Sequence, residues 1–391
     1  MNHRISHKMN IAFLSLGSLK NPRESARITL LLLARELMRR GHSVTVFARK
    51  AAGQPPQPPY EMIEGVPVHH VSPLWHLPWV VRKFQRKGKA FEVIHSFSAT
   101  PLFAFSGFFS KIKNETKVIH TLKSYSKKKR WNIYEILRIA DQITVPTKIY
   151  AEKLRELSKL SLSRITIINS PIDTIKFQPR DKSFLKEKYG YANKKVIFYY
   201  GGMWKEKGID ILLRAFPMLL KGHFNHFNHF NHPNHHNNFN HLDNCNPLNV
   251  KLLIAPRYPQ IKPQQELAAE LRLNSAVEFI LDDIPIEEYV AMADAVVLPY
   301  LNLLGTEGNP SCLLEALASK TPVVASDLPE LREIAAGCIL FSRPNDIVSL
   351  AERVHEALTA FSPSMVENAF RVSRKFDVEK IADDFIKIYT K

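Results

Sequence analysis

The chain has 391 residues, which is more than one ordinary hydrophobic core holds, so two domains are expected. Its hydrophobic fraction of 45% is normal for a globular protein, and no apolar run reaches the roughly 20 residues that a spanning helix needs. The net charge of +17 is uneven, because residues 1–190 carry 34 Lys/Arg against 13 Asp/Glu while the rest carry 20 against 24. The basic half favours an anionic surface or ligand, and without a recognition motif nucleic acid is not expected.

The three cysteines, Cys245, Cys312 and Cys338, have no spacing typical of a disulfide framework. They predict reduced thiols and a cytoplasmic location. The apolar run 11–16 follows Arg4 and Lys8 and faintly imitates a secretory signal, but it is short and a charged segment follows it. We therefore interpret it as a buried first strand.

Short apolar runs alternate with helical stretches in the first half of the chain. Residues 9–16 predict a strand, residues 28–40 an amphipathic helix closed by Gly41, and residues 43–48 a second strand. Later strands are predicted at 66–71, 93–96, 118–121, 142–146 and 165–168. This alternation is typical of a parallel sheet covered by helices, and we place the first domain at 1–178.

A second α/β pattern follows a stretch of mixed charge at 173–189, which we interpret as a linker because it lacks an apolar run. The second domain is predicted at 186–375, with helices at 209–220 and 310–318. Its strands are predicted at 196–200, 250–255, 277–280, 295–299, 323–325 and 338–341. A last helix at 378–389, within the tail 376–391, is expected to fold back onto the first domain.

A low-complexity tract at 222–249 contains seven histidines among asparagines and isolated phenylalanines. Such a composition buries too little apolar surface to order itself, which favours a disordered insertion in a surface loop. Metal binding by the histidines is the alternative interpretation.

The most informative segment is ADAVVLPYLNLLGTEGNPSCLLEALASKTPVVAS. A strand leads through a loop to a helix that begins near Pro310, and its first N–H groups, at Ser311 to Leu313, are available to an anion. Glu307 stands in the loop, and Glu315 lies inside the helix, where its carboxylate is suited to accept hydrogen bonds from a diol such as a ribose.

The second informative segment is YYGGMWKEKGIDILLRAF. A strand ends in Gly201 and Gly202, and a short loop then presents Lys207 before the next helix. A lysine at this position is suited to neutralise a diphosphate.

Together these segments resemble the retaining glycosyltransferases of the GT-B fold, family 4 type. The resemblance implies that Glu307 contacts the donor sugar, that Glu315 binds the nucleotide ribose and that Lys207 stabilises the leaving diphosphate. It also implies that His120, in VIHTL, faces the donor sugar from the first domain. The remaining donor-binding positions that it implies are Gly201, Gly202, Gly308, Asn309, Ser311, Cys312, Leu313 and Arg257.

The fold implied is α/β, with two Rossmann-like domains whose parallel sheets face across a cleft. The implied reaction is hexosyl transfer from a nucleotide-diphosphate sugar with retention of configuration. The resemblance implies no metal and no other cofactor, and it leaves open a glycan or lipid-linked acceptor.

Three departures from the family pattern stand out. Glycine occupies position 202, where the family usually has an arginine; the first βα loop has only Gly17; and the donor-domain strand runs into APRYPQ. Arg257, or Arg23 or Arg27 of the first domain, is a candidate replacement cation. The departures also keep open an alternative, a non-catalytic GT-B module that binds a glycan or nucleotide and supports a partner enzyme.

The segment 74–89 combines Trp75, Trp79 and Phe84 with five basic residues, and residues 127–130 add a basic run. This is the make-up of an interfacial helix on an anionic membrane, here the inner face of the cell membrane. A core helix with a solvated basic face is the alternative.

Overall fold

A computed structural model describes residues 7–19, 25–50, 58–124, 131–221, 249–304 and 308–391. The chain divides into two compact units. The first comprises residues 1–173, 304–311 and 375–391, and the second comprises 174–303 and 312–374. Each unit has a sheet and a hydrophobic core of its own.

The first unit is built on an eight-stranded sheet with the order β3-β4-β2-β1-β5-β6-β7-β8. The strands are β1 (Asn10–Ser15), β2 (Ser43–Arg49), β3 (Tyr60–Ile63), β4 (Val66–Val71), β5 (Val93–Ser98), β6 (Lys117–Leu122), β7 (Gln142–Val145) and β8 (Ile165–Ile167). All neighbouring pairs are parallel except β3 and β4. Every residue of β1 and β5 is buried, so both faces of these two strands are covered.

The helices of the first unit are α1 (Ser25–Arg39), α2 (Leu77–Lys87), α3 (Ala104–Ser110) and α4 (Lys148–Ser158), joined by the last helix of the chain, α13 (Val378–Thr390). Apolar residues of α13 belong to the same core as those of α1. Arg39 pairs with Glu379 at 2.9 Å, and the hydroxyl of Tyr389 lies 2.7 Å from Nδ1 of the fully buried His95. The C-terminal helix is therefore an integral part of the first unit.

The second unit is built on a six-stranded sheet with the order β11-β10-β9-β12-β13-β14, and all neighbouring pairs are parallel. Its strands are β9 (Lys195–Gly201), β10 (Val250–Pro256), β11 (Val277–Phe279), β12 (Ala295–Leu298), β13 (Val323–Ser326) and β14 (Leu340–Ser342). Its helices are α5 (Lys182–Lys188), α6 (Ile209–Lys221), α7 (Lys262–Glu270), α8 (Ile286–Met292), α9 (Ser311–Ala318), α10 (Pro329–Ala335), α11 (Ile347–Thr359) and α12 (Pro363–Ser373). The predicted α/β architecture with two parallel sheets is confirmed.

Residues 173–189, which we interpret as a linker from the sequence, contain a helix that the sequence analysis did not predict, α5. The Asp181 carboxylate caps this helix by accepting a hydrogen bond of 3.0 Å from the Phe184 N–H. Leu185 is buried, and Lys186 pairs with Asp294 at 2.5 Å. A helix held by one buried apolar side chain and by ion pairs of Lys182, Lys186 and Lys188 leaves no apolar periodicity in the sequence.

Within the described ranges, no helix combines the length and the hydropathy needed to cross a bilayer.

Candidate active site

Three neighbouring strands of the second sheet carry the candidate residues at their carboxyl ends. Because β10, β9 and β12 are parallel and adjacent, these ends meet at the same edge, which is where open α/β sheets bind ligands. Gly201 ends β9, Arg257 follows β10, and Tyr300 lies just after β12. The Arg257 N–H donates a hydrogen bond of 2.6 Å to the Gly201 carbonyl, which fixes the start of the loop after β10.

Lys207 is held in a short 3-10 turn, Lys205–Lys207, between β9 and α6. The turn closes at Gly208, whose φ is +65° and whose missing Cβ would lie 1.7 Å from the Pro299 carbonyl oxygen. No other residue fits there without moving the backbone. Lys207 is only 7% exposed, and its ammonium lies 4.0 Å from the ring centroid of Tyr300. The aromatic face helps to hold a buried cation at this edge of the sheet.

Trp204 lies beside both cations of the edge. Its ring centroid is 5.4 Å from Nζ of Lys207 and 5.8 Å from Cζ of Arg257. The six-membered part of the same indole covers Gly202, where an added Cβ would be 1.8 Å from Cζ3. Gly202 therefore has no room for a side chain while Trp204 stays in place.

Glu315 lies inside α9 and is 6% exposed. The Tyr200 hydroxyl donates a hydrogen bond of 2.6 Å to Glu315 Oε2. Burial raises the pKa of Glu315 to about 7, and the hydrogen bond from Tyr200 acts in the opposite direction. This carboxyl therefore changes its charge close to neutral pH.

Tyr300 contacts both Lys207, which follows β9, and the first turn of α9. Its ring faces Lys207, and its hydroxyl lies 3.2 Å from Sγ of Cys312 in the first turn of α9. The Cys312 carbonyl is 3.3 Å from the Tyr200 hydroxyl, and burial raises the pKa of the Cys312 thiol. Leu313 is fully buried, and Cys312 is 9% exposed. The second unit thus brings together Gly201, Gly202, Lys207, Arg257, Cys312, Leu313 and Glu315.

The other predicted residues lie in the first unit. His120 is fully buried in β6, with Nδ1 hydrogen-bonded to Ser96 Oγ at 2.8 Å. Burial lowers the pKa of His120 to about 3, so the imidazole is neutral at physiological pH. Asn309 is also fully buried, and at Gly308 an added Cβ would come within 3.1 Å of Tyr150.

Ser311 begins α9 and is the last residue of the segment 304–311 that belongs to the first unit. Arg27, one of the alternative cations, lies in the first unit with its guanidinium against Gly17. Glu307, Arg23, the basic run 127–130 and residues 222–248 of the histidine tract lie outside the described residues. The pairing of Glu307 with Glu315 stays a prediction. In the described part of the chain, no group of three or more His, Cys, Asp or Glu side chains is arranged to hold a metal ion.

Three aromatic residues of the site were missed by sequence reasoning, namely Tyr200, Trp204 and Tyr300. Each stands at or just beyond a strand that carries a predicted ligand residue, within the two informative segments. Their position at the strand ends could have indicated a role in the site. Aromatic residues at strand ends also occur in ordinary cores, so the position alone does not predict such a role.

Solved structures of low sequence identity share this fold. Sucrose-phosphate synthase from Thermosynechococcus elongatus superposes with a TM-score of 0.78 over 98% of each chain, at 19% identity. HepE of Anabaena in complex with UDP-glucose gives a TM-score of 0.73 over 98% of this chain and 99% of its own, at 16% identity. At such identities the likeness concerns the fold, and it confirms the GT-B prediction.

The sequence matches point to the activity. Residues 26–176 match Glycosyltransferase Family 4, and residues 194–360 match Glycosyl transferases group 1. An uncharacterised glycosyltransferase of Methanocaldococcus jannaschii is 24% identical over 91% of this chain and 92% of its own length. The chain is a GT-B glycosyltransferase. The match at 194–360 covers Lys207, Arg257 and Glu315, so the edge of the second sheet lies in the part of this GT-B glycosyltransferase that its relatives share.

Proposed function

We propose that this GT-B glycosyltransferase binds a nucleoside-diphosphate sugar in its second unit and transfers a hexose to a glycan or lipid-linked acceptor with retention of configuration. The observation that carries the proposal is that two cations, Lys207 and Arg257, and the helix of the buried Glu315 carboxyl lie at one edge of a parallel sheet. Tyr300 links them, since its ring contacts Lys207 and its hydroxyl contacts Cys312 in the same helix as Glu315. The HepE structure holds UDP-glucose in the same fold, which supports a donor of this class.

Glu315 is the group that we assign to the ribose. A carboxylate accepts hydrogen bonds from both hydroxyls of a vicinal diol, and Tyr200 orients it by donating to Oε2. Burial makes the charged form of Glu315 unfavourable and raises its pKa to about 7. Hydrogen-bond donors that face the carboxylate stabilise this charged form. The ribose hydroxyls are such donors.

Lys207 and Arg257 are the groups that we assign to the diphosphate. Negative charge builds up on the diphosphate as the bond to the sugar breaks, and fixed positive groups that face this charge lower the barrier. The start of α9, at Ser311, Cys312 and Leu313, adds the positive end of a helix. In this proposal the leaving group is stabilised without a metal ion.

Glu307 and His120 are the groups that we assign to the donor sugar. A neutral imidazole, such as that of His120, donates and accepts hydrogen bonds without adding charge beside the reacting carbon. Glu307 lies between β12 and α9 in the sequence. Gly201, Gly202, Gly308 and Asn309 complete the proposed donor site.

We further propose that the first unit docks on an anionic membrane through the segment 74–89. One face of α2 is a core face, since Leu77, Val81 and Gln85 are buried. The core does not account for Trp75 and Trp79, which are 79% and 60% exposed. Indole rings are favoured at the boundary between headgroups and acyl chains.

Basic residues of the same segment accompany these two indoles. The ammonium of Lys83 lies 4.8 Å from the ring centroid of Trp79. The exposed cations of the segment are Arg82, Lys83, Arg86, Lys87 and Lys89. Each basic residue close to an anionic surface contributes roughly 1 kcal/mol, and salt weakens this contribution.

A panel of UDP-, GDP- and ADP-sugars tests the proposed activity. We expect tight binding of one donor class and slow release of its sugar, to water or to an added acceptor, with the anomeric configuration of the product equal to that of the donor by NMR. Inversion of configuration would contradict the retaining assignment. Binding without transfer or hydrolysis would instead support the non-catalytic module that the sequence left open.

A further inference from the structure

The indole ring of Trp204 fills the space that a side chain at position 202 would occupy. A Cβ built on Gly202 would lie 1.8, 2.2 and 2.3 Å from three ring carbons of Trp204, far inside van der Waals contact. Close-packed side chains do not absorb such an overlap, so any larger residue at 202 displaces the indole. The position of the Trp204 ring therefore depends on having glycine at 202.

The same indole is held close to both cations by the backbone. The Lys207 N–H donates to the Trp204 carbonyl at 2.9 Å, and the Arg257 N–H donates to the Gly201 carbonyl at 2.6 Å. The two cationic groups then lie 5.4 and 5.8 Å from the ring centroid. Cations over an indole are attracted to its face, which offsets part of their mutual repulsion.

Arg257 also keeps a hydrogen-bond donor for a ligand. Its Nε–H is buried, and no residue that the structure describes accepts a hydrogen bond from it. A buried donor without an acceptor is costly, and a phosphate oxygen satisfies it with a charge-assisted hydrogen bond. The arrangement is therefore incomplete until an anion binds.

We infer that Trp204 is the positioning residue of the diphosphate site, because it sets the separation between the Lys207 ammonium and the Arg257 guanidinium. In this arrangement Arg257 supplies the second cation, and the indole takes the place of a side chain at 202. The inference rests on the proposed function, since it needs a nucleoside diphosphate as the ligand.

A double-mutant cycle tests this inference with UDP, GDP and ADP as probes and with the matching nucleosides as controls. Trp204→Ala removes no charge, yet we expect it to weaken binding of the diphosphate about tenfold, the effect of roughly 1.4 kcal/mol. Gly202→Ala displaces the ring, so it should weaken binding in the same way. Gly202→Ala/Trp204→Ala should be no weaker than the worse single variant, since both changes act through one ring.

The affinity for the nucleoside shows whether Trp204 positions the two cations or only fills space in the site. If Trp204 positions the cations, the affinity for the nucleoside is unchanged while that for the diphosphate falls. Trp204→Phe keeps an aromatic face and should retain part of the affinity, which also provides a folded variant if Trp204→Ala unfolds. Phe184→Ala, a 61% exposed aromatic residue of the same unit, is the matched control and should bind like the wild type.

The outcomes distinguish the inference from the proposed function. Normal diphosphate affinity in Trp204→Ala, additive losses in the double variant, or an equal loss of nucleoside affinity would each overturn the positioning role while the donor site stands. A wild-type protein that binds none of the three diphosphates would overturn both.

Discussion

The hydroxyl of Tyr200, at the end of β9, donates a hydrogen bond of 2.6 Å to Oε2 of Glu315 in α9. The bond joins two residues that are 115 positions apart in the chain. Burial makes the charged carboxylate unfavourable, while the phenol stabilises it, and the net result is a pKa of about 7. The ligand-binding and stability properties of the second unit should therefore both depend on pH around neutrality.

The first prediction concerns the stability of the free protein. The Glu315 carboxyl has an ordinary pKa of 4.5 and a folded pKa of about 7, so between these values the folded state binds a proton that the unfolded state has lost. Stability should therefore fall as pH rises through this window, with a maximal slope of about 1.4 kcal/mol per pH unit. Urea unfolding of the wild type and of Glu315→Gln at pH 5 and 7 measures this. The same pH dependence in both proteins would contradict the assignment.

The second prediction concerns the pH dependence of ligand binding. If the ribose donates to the Glu315 carboxylate, nucleoside diphosphate affinity should rise as pH increases through about 7, the pKa of this carboxyl. Tyr200→Phe removes a donor to the carboxylate, so it should raise the pKa and move the rise in affinity to higher pH. Glu315→Gln should abolish the rise. Calorimetric titrations between pH 6 and 8.5, covering this pKa, give the profile. An unchanged profile in Tyr200→Phe would be incompatible with this role.

A third prediction separates buried from exposed lysines in the turn after β9. Lys207 is 7% exposed, so Lys207→Ala should weaken nucleoside diphosphate binding by about 2 kcal/mol. Lys205 belongs to the same turn but is exposed, so Lys205→Ala is the matched control and should change binding little. Equal effects of the two substitutions would mean that the turn acts only through its general charge.

The fourth prediction concerns Glu307. Glu307→Ala should lower turnover by orders of magnitude, because it removes the proposed contact with the donor sugar, while the melting temperature stays unchanged. Glu333→Ala, at an exposed glutamate of α10, is the control. Wild-type turnover in Glu307→Ala would refute the assignment.

The fifth prediction concerns the membrane surface. The protein should sediment with anionic liposomes at low salt and much less at high salt, and it should bind neutral liposomes weakly. Trp75→Ser/Trp79→Ser should reduce this binding, since it removes two exposed indoles from the interface. Phe184→Ser, an exposed aromatic residue of the second unit, should not. Equal binding to anionic and neutral liposomes would refute the docking surface.

Strands and helices with strong apolar patterns could be predicted from the sequence. The run at 66–71 coincides with β4 (Val66–Val71), and the segment at 209–220 with α6 (Ile209–Lys221). Burial on both faces of a parallel sheet demands continuous apolar residues, and the core face of a helix demands a regular apolar stripe. Helix α5 has neither signal, because a cap, ion pairs and a single buried leucine hold it, and it was missed.

Some features of the candidate site could likewise be predicted from the sequence, and others depend on the tertiary structure. The sequence by itself predicted the α/β class from its apolar periodicity, and it predicted a GT-B glycosyltransferase through the resemblance of two segments in which glycines, a lysine and glutamates follow predicted strands. Only the tertiary structure decided that Trp204 covers Gly202 and contacts Arg257, or that Tyr300 faces Lys207. The contacts of Trp204 with Arg257 and of Tyr300 with Lys207 join the ends of strands far apart in the chain. They depend on the order of the strands and on side-chain packing at one edge of the sheet, which local spacing does not encode.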